Sequence, residues 1–436
     1  MFSVLLSSAG VASAQDAGRD TDRQHPRLET PACAASAPST TELASSHLVL
    51  AVRDAGRELL LLDGSTLAVL GRCQLPYALE GTPLRSPEGR YIYATAAGGW
   101  VLRLDLQYFG PVLGTRTGLA LSGLVLSADG HWLLAGHARP HSLVLLDAGL
   151  NVVRSYRTSA LSGGADSAVS GIWLAQARKS FVVAFDTLPE LWELSYDPAA
   201  EPIHDGLVHD YRMGEAIATA GFLGVRRTPL PHSLRVVLAD ASLRHLLAIE
   251  TPGPPGPEAR SGTELEIINL DIRRRITTRA LAGSPVTWAG VAFTSGTQPW
   301  LALPTGPEGR VVLIETRDWT LHPESLASLR GVDAVRSHPA APQLWLHATG
   351  AASSDTLVLV NKDDWRVIAT LREPGRRWLP VSFAAGGRQA VLATQGAQGE
   401  IRLLDTRTLR ELRRVALAHI EAVFALDGPA PETQQK

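Results

Sequence analysis

The sequence predicts an all-β fold, a single eight-bladed β-propeller closed by a C-terminal strand, and three observations carry that prediction. A turn-strand-strand unit recurs along the chain. The closing residues of most successive copies lie 42 to 48 residues apart. The first copy lacks its opening strand, while an extra strand follows the last one. Periods of this length with four short strands per copy are the pattern of propeller blades.

The elements follow in order. An incomplete copy, HLVLAVRDAGRELLLLD, ends at Asp63. SPEGRYIYATAAGGWVLRLDL (86–106) is the first full unit: a Ser-Pro-Glu-Gly turn, an apolar strand, a Gly-Gly break and a second strand. SADGHWLLAGHARPHSLVLLD (127–147) and AQARKSFVVAFDTLPELWELS (175–195) repeat it. So do 294–315, 338–361 and 384–405. The residues closing these units are Asp105, Asp147, Ser195, Glu315, Asn361 and Asp405. One longer copy fills the 120-residue interval from Ser195 to Glu315, with either Glu250 or Asp271 in the closing position. That makes eight. A strand precedes each turn (SGLVLS, VSGIWLA, LPVSFA) and another trails the closing residue (WRVIATL, RELRRVAL), with Val, Leu, Ile and aromatics inside and Gly, Pro, Asp and Ser between. HIEAVFAL (419–426) is expected to pair into the first blade and remove the ring's open edge. A helical solenoid or a chain of two or three domains does not produce this pattern.

The expected organisation is a shortened secretory signal peptide over 1–14, a disordered linker over 15–46, the propeller over 47–427 and a tail over 428–436. The leader reading rests on MFSVLLSSAGVASAQ, which has an apolar stretch and an Ala-Ser-Ala site but no positive start. Export, and so a periplasmic location, follows from it.

Composition narrows the function by exclusion. A formal net charge of −2 offers no nucleic-acid surface. No apolar run reaches the roughly 18 to 20 residues of a membrane span. Two cysteines, Cys33 and Cys73, are too few for a disulfide framework or a thiolate metal site, and no C-x-x-C-H is present for a covalent c-type haem. Lysine occurs only at 179, 362 and 436, against 38 arginines, so arginine clusters need support from position. His137 with His141, and His204 with His209, have ligand-like spacing, yet such loop pairs are read as solvated. No metal site is assigned.

SPEGRYIYATAAGGWVLRLDL, ARKSFVVAFDTLPELWELSYDPAAEPI, VVLIETRDW and VRSHPAAPQLWL resemble the d1-type propeller of cytochrome cd1 nitrite reductases, and more closely its haem d1 biosynthesis relatives. The resemblance runs from about residue 47 to 426. It implies a periplasmic protein holding a tetrapyrrole, haem d1 or a haem d1 precursor, across the channel mouth for late side-chain processing or carriage. It also implies haem d1 assembly proteins or the nitrite reductase as protein partners. Two family histidines are missing: Leu79-Glu80-Gly81-Thr82 stands where the proximal iron ligand is expected, and SPVTWAGVAF (284–293) lacks the second. The Thr-His-Pro of the family is matched by Ser337-His338-Pro339, which makes His338 the candidate catalytic acid or base. Tetrapyrrole carboxylates call for charge-assisted partners. Arg85, Arg226, Arg227, Arg336 and Arg377, at or beside the expected blade-opening strands, are the candidates. The alternative is a non-catalytic scaffold that docks a protein partner. A propeller hydrolase or quinone-type dehydrogenase lacks its calcium loop and acid-base constellation.

Overall fold

The computed structural model describes residues 25–35 and 47–426, apart from 107–109, 161–162, 205–218, 251–262, 286–288, 307–309, 323–325, 327–330 and 349–353. The expected signal peptide, the tail and His209 lie outside the described residues.

The chain forms eight antiparallel sheets, numbered here as blades in ring order. Blade 1 takes its innermost strand from the C-terminus: Ile420–Ala425 pairs with Leu48–Arg53, followed outward by Glu58–Asp63 and Val69–Gln74. Blade 2 begins at Leu79–Arg85, blade 3 at Ala120–Leu126, blade 4 at Val169–Ala175 and blade 5 at Leu234–Ala239. Blades 6, 7 and 8 begin at Val291–Ser295, Ala334–Arg336 and Ser382–Ala384. In each blade the opening strand lies innermost, so the first-to-second-strand turns share one end of the ring and the blade-opening loops share the other.

Alternation explains how such a ring packs. Leu48, Leu50 and Val52 face blade 2, while Val49 and Ala51 face blade 8. Blade 7 divides in the same way. Val335, Leu344 and Leu346 pack on blade 6, and Trp345, Leu357 and Leu359 pack on blade 8. Hydrophobic clusters of this kind span every junction, including blade 8 to blade 1. No blade buries both faces unless its neighbours are present.

The closing residues earn their place as turn formers. The Asp63 carboxylate accepts the amides of Ser65 (3.0 Å) and Thr66 (2.7 Å), and Asp405 accepts those of Arg407 (3.1 Å) and Thr408 (2.7 Å). Four residues past these carboxylates, Leu67 and Leu409 take positive φ. In blade 5 the residue doing this is neither Glu250 nor Asp271. Asn269 ends the third strand, accepts the amides of Asp271 (2.9 Å) and Ile272 (3.1 Å), and is followed by Arg273 at φ 54°. Glu250 ends the second strand and Asp271 is one of the amides being held. An Asn caps such a turn as well as an Asp, as Asn361 does in blade 7 by accepting the Asp363 amide at 2.7 Å.

The linker expectation also needs correction. Within 15–46, Arg27–Ala32 adds a fifth strand to the outside of blade 2, and Ala34–Ala35 adds one to blade 1. Between them Cys33 is disulfide-bonded to Cys73 of blade 1. This strap has no hydrophobic period because it lies on the outer rim, where backbone pairing and the cross-link hold it. Among the described residues no helix is long and apolar enough to cross a membrane.

Candidate functional site

Of the six residues singled out, three lie on or just beyond the innermost strands toward the turn end, one lies at the opposite end, and two lie on the rim. Arg226 and Arg227 were expected beside a blade-opening strand. They sit instead on Val225–Pro229, the outermost strand of blade 4. Arg227 lies over the Trp192 ring, 4.2 Å from its centroid, and pairs with Glu190 at 3.3 Å. That pair repeats inside other blades as Glu58–Arg72 (3.1 Å) and Glu400–Arg414 (3.7 Å). In each, the first residue of the third strand meets an arginine two residues from the corresponding end of the outer strand. Arg227 is therefore a blade fastener.

Arg85 ends the innermost strand of blade 2. Its Nη1 donates to the Leu426 carbonyl at 3.0 Å and its Nε to Gly89 at 3.1 Å, so it ties the closing strand to the next blade. Arg377 is exposed on the loop leading into blade 8, at the end where the blades open.

His338 occupies the turn between the first and second strands of blade 7 and is half-buried against blade 8. Its ring centroid is 5.7 Å from that of Phe383, and a Cβ on Gly387, which has φ 82°, would collide with the imidazole. A glycine at that point lets the ring fit. Nδ1 accepts the Ala340 amide at 3.1 Å, which leaves the hydrogen on Nε2. Burial, helped by the Lys362 ammonium, holds the imidazole below its ordinary pKa. It is a neutral ring at pH 7.

Sequence reasoning missed Lys362. Its ammonium donates to the carbonyls of His338 (2.7 Å) and Ala341 (2.6 Å), and burial lowers its pKa to about 8. Leu106, Leu270 and Thr406 hold the corresponding place after the closing residue in other blades. A lysine there, one of three in the chain, was the available signal. Also missed were Trp345 and His347, which alternate with apolar residues in Gln343–His347 and so share the face turned to blade 8. His347 Nε2 accepts the Val381 amide at 3.3 Å, and burial depresses its pKa to about 3.

The GHARPH histidines are not solvated as a pair. His137 is fully buried, with Nε2 2.9 Å from Thr117 Oγ1 and a pKa lowered by burial to about 4. Exposed His141 contacts the Asp166 carbonyl at 2.8 Å. Among the described residues no cluster of three or more His, Cys, Asp or Glu is placed to hold a metal. An open groove of about 540 Å³ between blades 3 and 4 is lined by Trp132, Tyr196 and Phe222, away from all six candidates.

Comparison with known proteins agrees with this architecture. The chain is 29% identical over 373 residues to the dihydro-heme d1 dehydrogenase of Pseudomonas aeruginosa, an alignment covering 85% of this chain and 69% of that one. The structure of dihydro-heme d1 dehydrogenase NirN in complex with DHE superposes with a TM-score of 0.76 at 24% identity, covering 96% of this chain and 83% of that one. The Dos1 propeller shares the general fold, with a TM-score of 0.50 at 9% identity over 78% of this chain and 85% of that one. The sequence profile of the cytochrome D1 heme domain matches residues 44–206 and 259–425, both halves of the ring, and the chain belongs to that family.

Proposed function

We propose that this protein is an exported d1-type propeller that binds a tetrapyrrole of the haem d1 line and serves its late processing. The observation that carries the reading is the family match across both halves of the ring, together with a relative named for a dehydrogenase of dihydro-heme d1. The Cys33–Cys73 disulfide supports export, because such bonds persist in oxidising compartments.

The residues present suit the macrocycle's carboxylates better than an imidazole-ligated iron. The stretch Leu79–Thr82, where the family places its proximal histidine, is strand without an imidazole. Arg336 offers a guanidinium on the innermost strand of blade 7 instead. When bound, the macrocycle supplies the redox chemistry of its own ring. The chain's part is to hold carboxylates, to exclude water and to present His338, whose Nε2–H is the free donor of a neutral imidazole. Taking up a proton at Nδ1 requires release of the Ala340 amide.

His338 and Arg377 lie toward opposite ends of the ring, so a flat ligand across one mouth reaches one of them. Titration with dihydro-heme d1, followed in the Soret and visible bands, tests the reading directly. His338→Ala is expected to keep the fold and lose turnover, while Arg377→Ala leaves both binding and turnover intact. An unshifted spectrum with the wild type rejects tetrapyrrole binding, and full turnover by His338→Ala rejects the catalytic role.

A further inference from the structure

We infer that the inner junction between blades 7 and 8 is a niche for one ionised carboxylate, built from Arg336, Trp345 and His347 on blade 7 and faced by Thr394 of blade 8. The niche deepens the tetrapyrrole reading, on which the identity of its natural occupant rests.

Strand register brings these groups together. Arg336 and Trp345 are direct partners across the first two strands of blade 7, as are Ala334 and His347. Paired residues project from the same face, so Arg336, Trp345 and His347 all point toward blade 8. Trp345 packs there against Val381, Ala390 and Leu392. Thr394 continues the Ala390-Leu392 face of its own strand and so looks back at blade 7.

Donors dominate this junction. Arg336 Nε is sealed from solvent without a hydrogen-bond partner, and its Nη1 reaches no further than the carbonyl of its neighbour Val335, at 3.0 Å. Among the described residues no carboxylate is paired with it, and burial works against its charge. Trp345 Nε1 and Thr394 Oγ1 are likewise buried without partners. His347 accepts the Val381 amide through Nε2, so its hydrogen lies on Nδ1. Gln343 Oε1, the unpartnered acceptor on the same strand, belongs to a side chain whose amide nitrogen is bound to the Thr406 carbonyl, toward the turn end.

A guanidinium keeps its charge at any physiological pH, so burying one without a counter-charge is costly. Proteins rarely leave several donors unmet around it. An anion with two acceptor oxygens removes both penalties. A carboxylate fits the guanidinium fork, and the indole and hydroxyl hydrogens supply further contacts. Arg336 retains some exposure, which leaves a way in. The occupant is either one arm of the bound macrocycle or a free small carboxylate, and the chemistry is the same.

Two arms of one experiment separate these sources. The full chain is titrated with coproporphyrin and with its tetramethyl ester in the same dilute detergent. Thermal midpoints are then compared in acetate and in chloride at matched ionic strength. The wild type is expected to favour the free acid by about tenfold, and Arg336→Met to lose most of that preference. Trp345→Phe, which keeps a ring and deletes one donor, is expected to fall between them. Acetate should raise the midpoint of the wild type and not that of Arg336→Met. Arg336→Lys, which retains the charge without the fork, controls for folding. If neither arm depends on Arg336, the niche is overturned. If coproporphyrin binds in neither form while the acetate effect requires Arg336, the niche stands for a free carboxylate and the tetrapyrrole reading fails.

Discussion

The junction between blades 1 and 2 and the junction between blades 7 and 8 use the same strands and the same apolar stripes, but they treat polar groups in opposite ways. At the first, Arg85 donates to the Leu426 and Gly89 carbonyls, and the Cys33–Cys73 bond clamps the rim. At the second, Arg336, Trp345 and Thr394 each bury a polar atom with no partner. Among the described residues no buried side-chain polar atom is left unpartnered on the facing strands of the first junction, whereas the second leaves donors for which a ligand is proposed. Local departures from full satisfaction of this kind mark functional places more often than folding errors.

The contrast breaks first at closure. Removing 419–436 deletes the innermost strand of blade 1 and opens the ring at its sealed junction. Cooperative unfolding near the wild-type temperature is expected to vanish, because Leu48–Arg53 then exposes an unpaired edge and blade 8 loses its packing on Ile420 and Val423. A calorimetric midpoint equal to that of the full chain would refute this.

The next effect is the clamp. Cys33 and Cys73 are 40 residues apart, a loop whose closure corresponds to about 4 kcal/mol at most in the chain-entropy view. Cys73→Ser should lower stability to denaturant by about 2–4 kcal/mol, and reductant should have no further effect on the variant. An unchanged denaturation midpoint would mean that the backbone pairing of 27–32 and 34–35 holds the strap alone.

Acid probes two buried imidazoles, one on blade 3 and one at the junction between blades 7 and 8. His137 and His347 have folded pKa values of about 4 and about 3, against about 6.5 in the unfolded chain. Between those values the unfolded state binds more protons, so stability rises with pH. Stability is fully present above about pH 6.5, and each histidine removes up to about 1.4 kcal/mol per pH unit as pH falls below it. His347→Gln should reduce the slope of stability against pH between about pH 6 and pH 4.5. A slope identical to that of the wild type would show that His347 is protonated in the folded protein.

The smallest effects are the most diagnostic, because they differ in sign. Arg85→Ala removes two carbonyl partners and should cost about 2 kcal/mol. Arg336→Met removes a buried charge without a counter-ion and should stabilise the ligand-free protein by about 1 kcal/mol. Equal destabilisation by both would erase the distinction between the two junctions.

Ring architecture was legible because it depends on local rules repeated along the chain. Turn chemistry, period-2 apolar runs and the displaced last strand each needed only neighbouring residues, and blade count and closure followed from them. The strap was illegible, since RLETPACAA owes its strands to partners at 69–74 and 111–116 rather than to any pattern of its own. Arg226 and Arg227 were misplaced for a related reason. The insertion between the third and fourth strands of blade 4 moves their strand far along the chain without moving it from the rim, so spacing pointed to a strand that opens a blade.

What the sequence determined by itself was the number of blades, the way they close and the family to which they belong. Tertiary structure decided which polar residues share a junction. Arg336 and His338 were visible as residue types, but their neighbours Trp345, His347, Lys362 and Thr394 come from other strands and another blade. Whether a guanidinium is engaged or stranded depends on what the adjoining blade presents to it. Only stacking of blade 7 on blade 8 brings those faces into contact, and no local period in the chain encodes which donors will be left unmet.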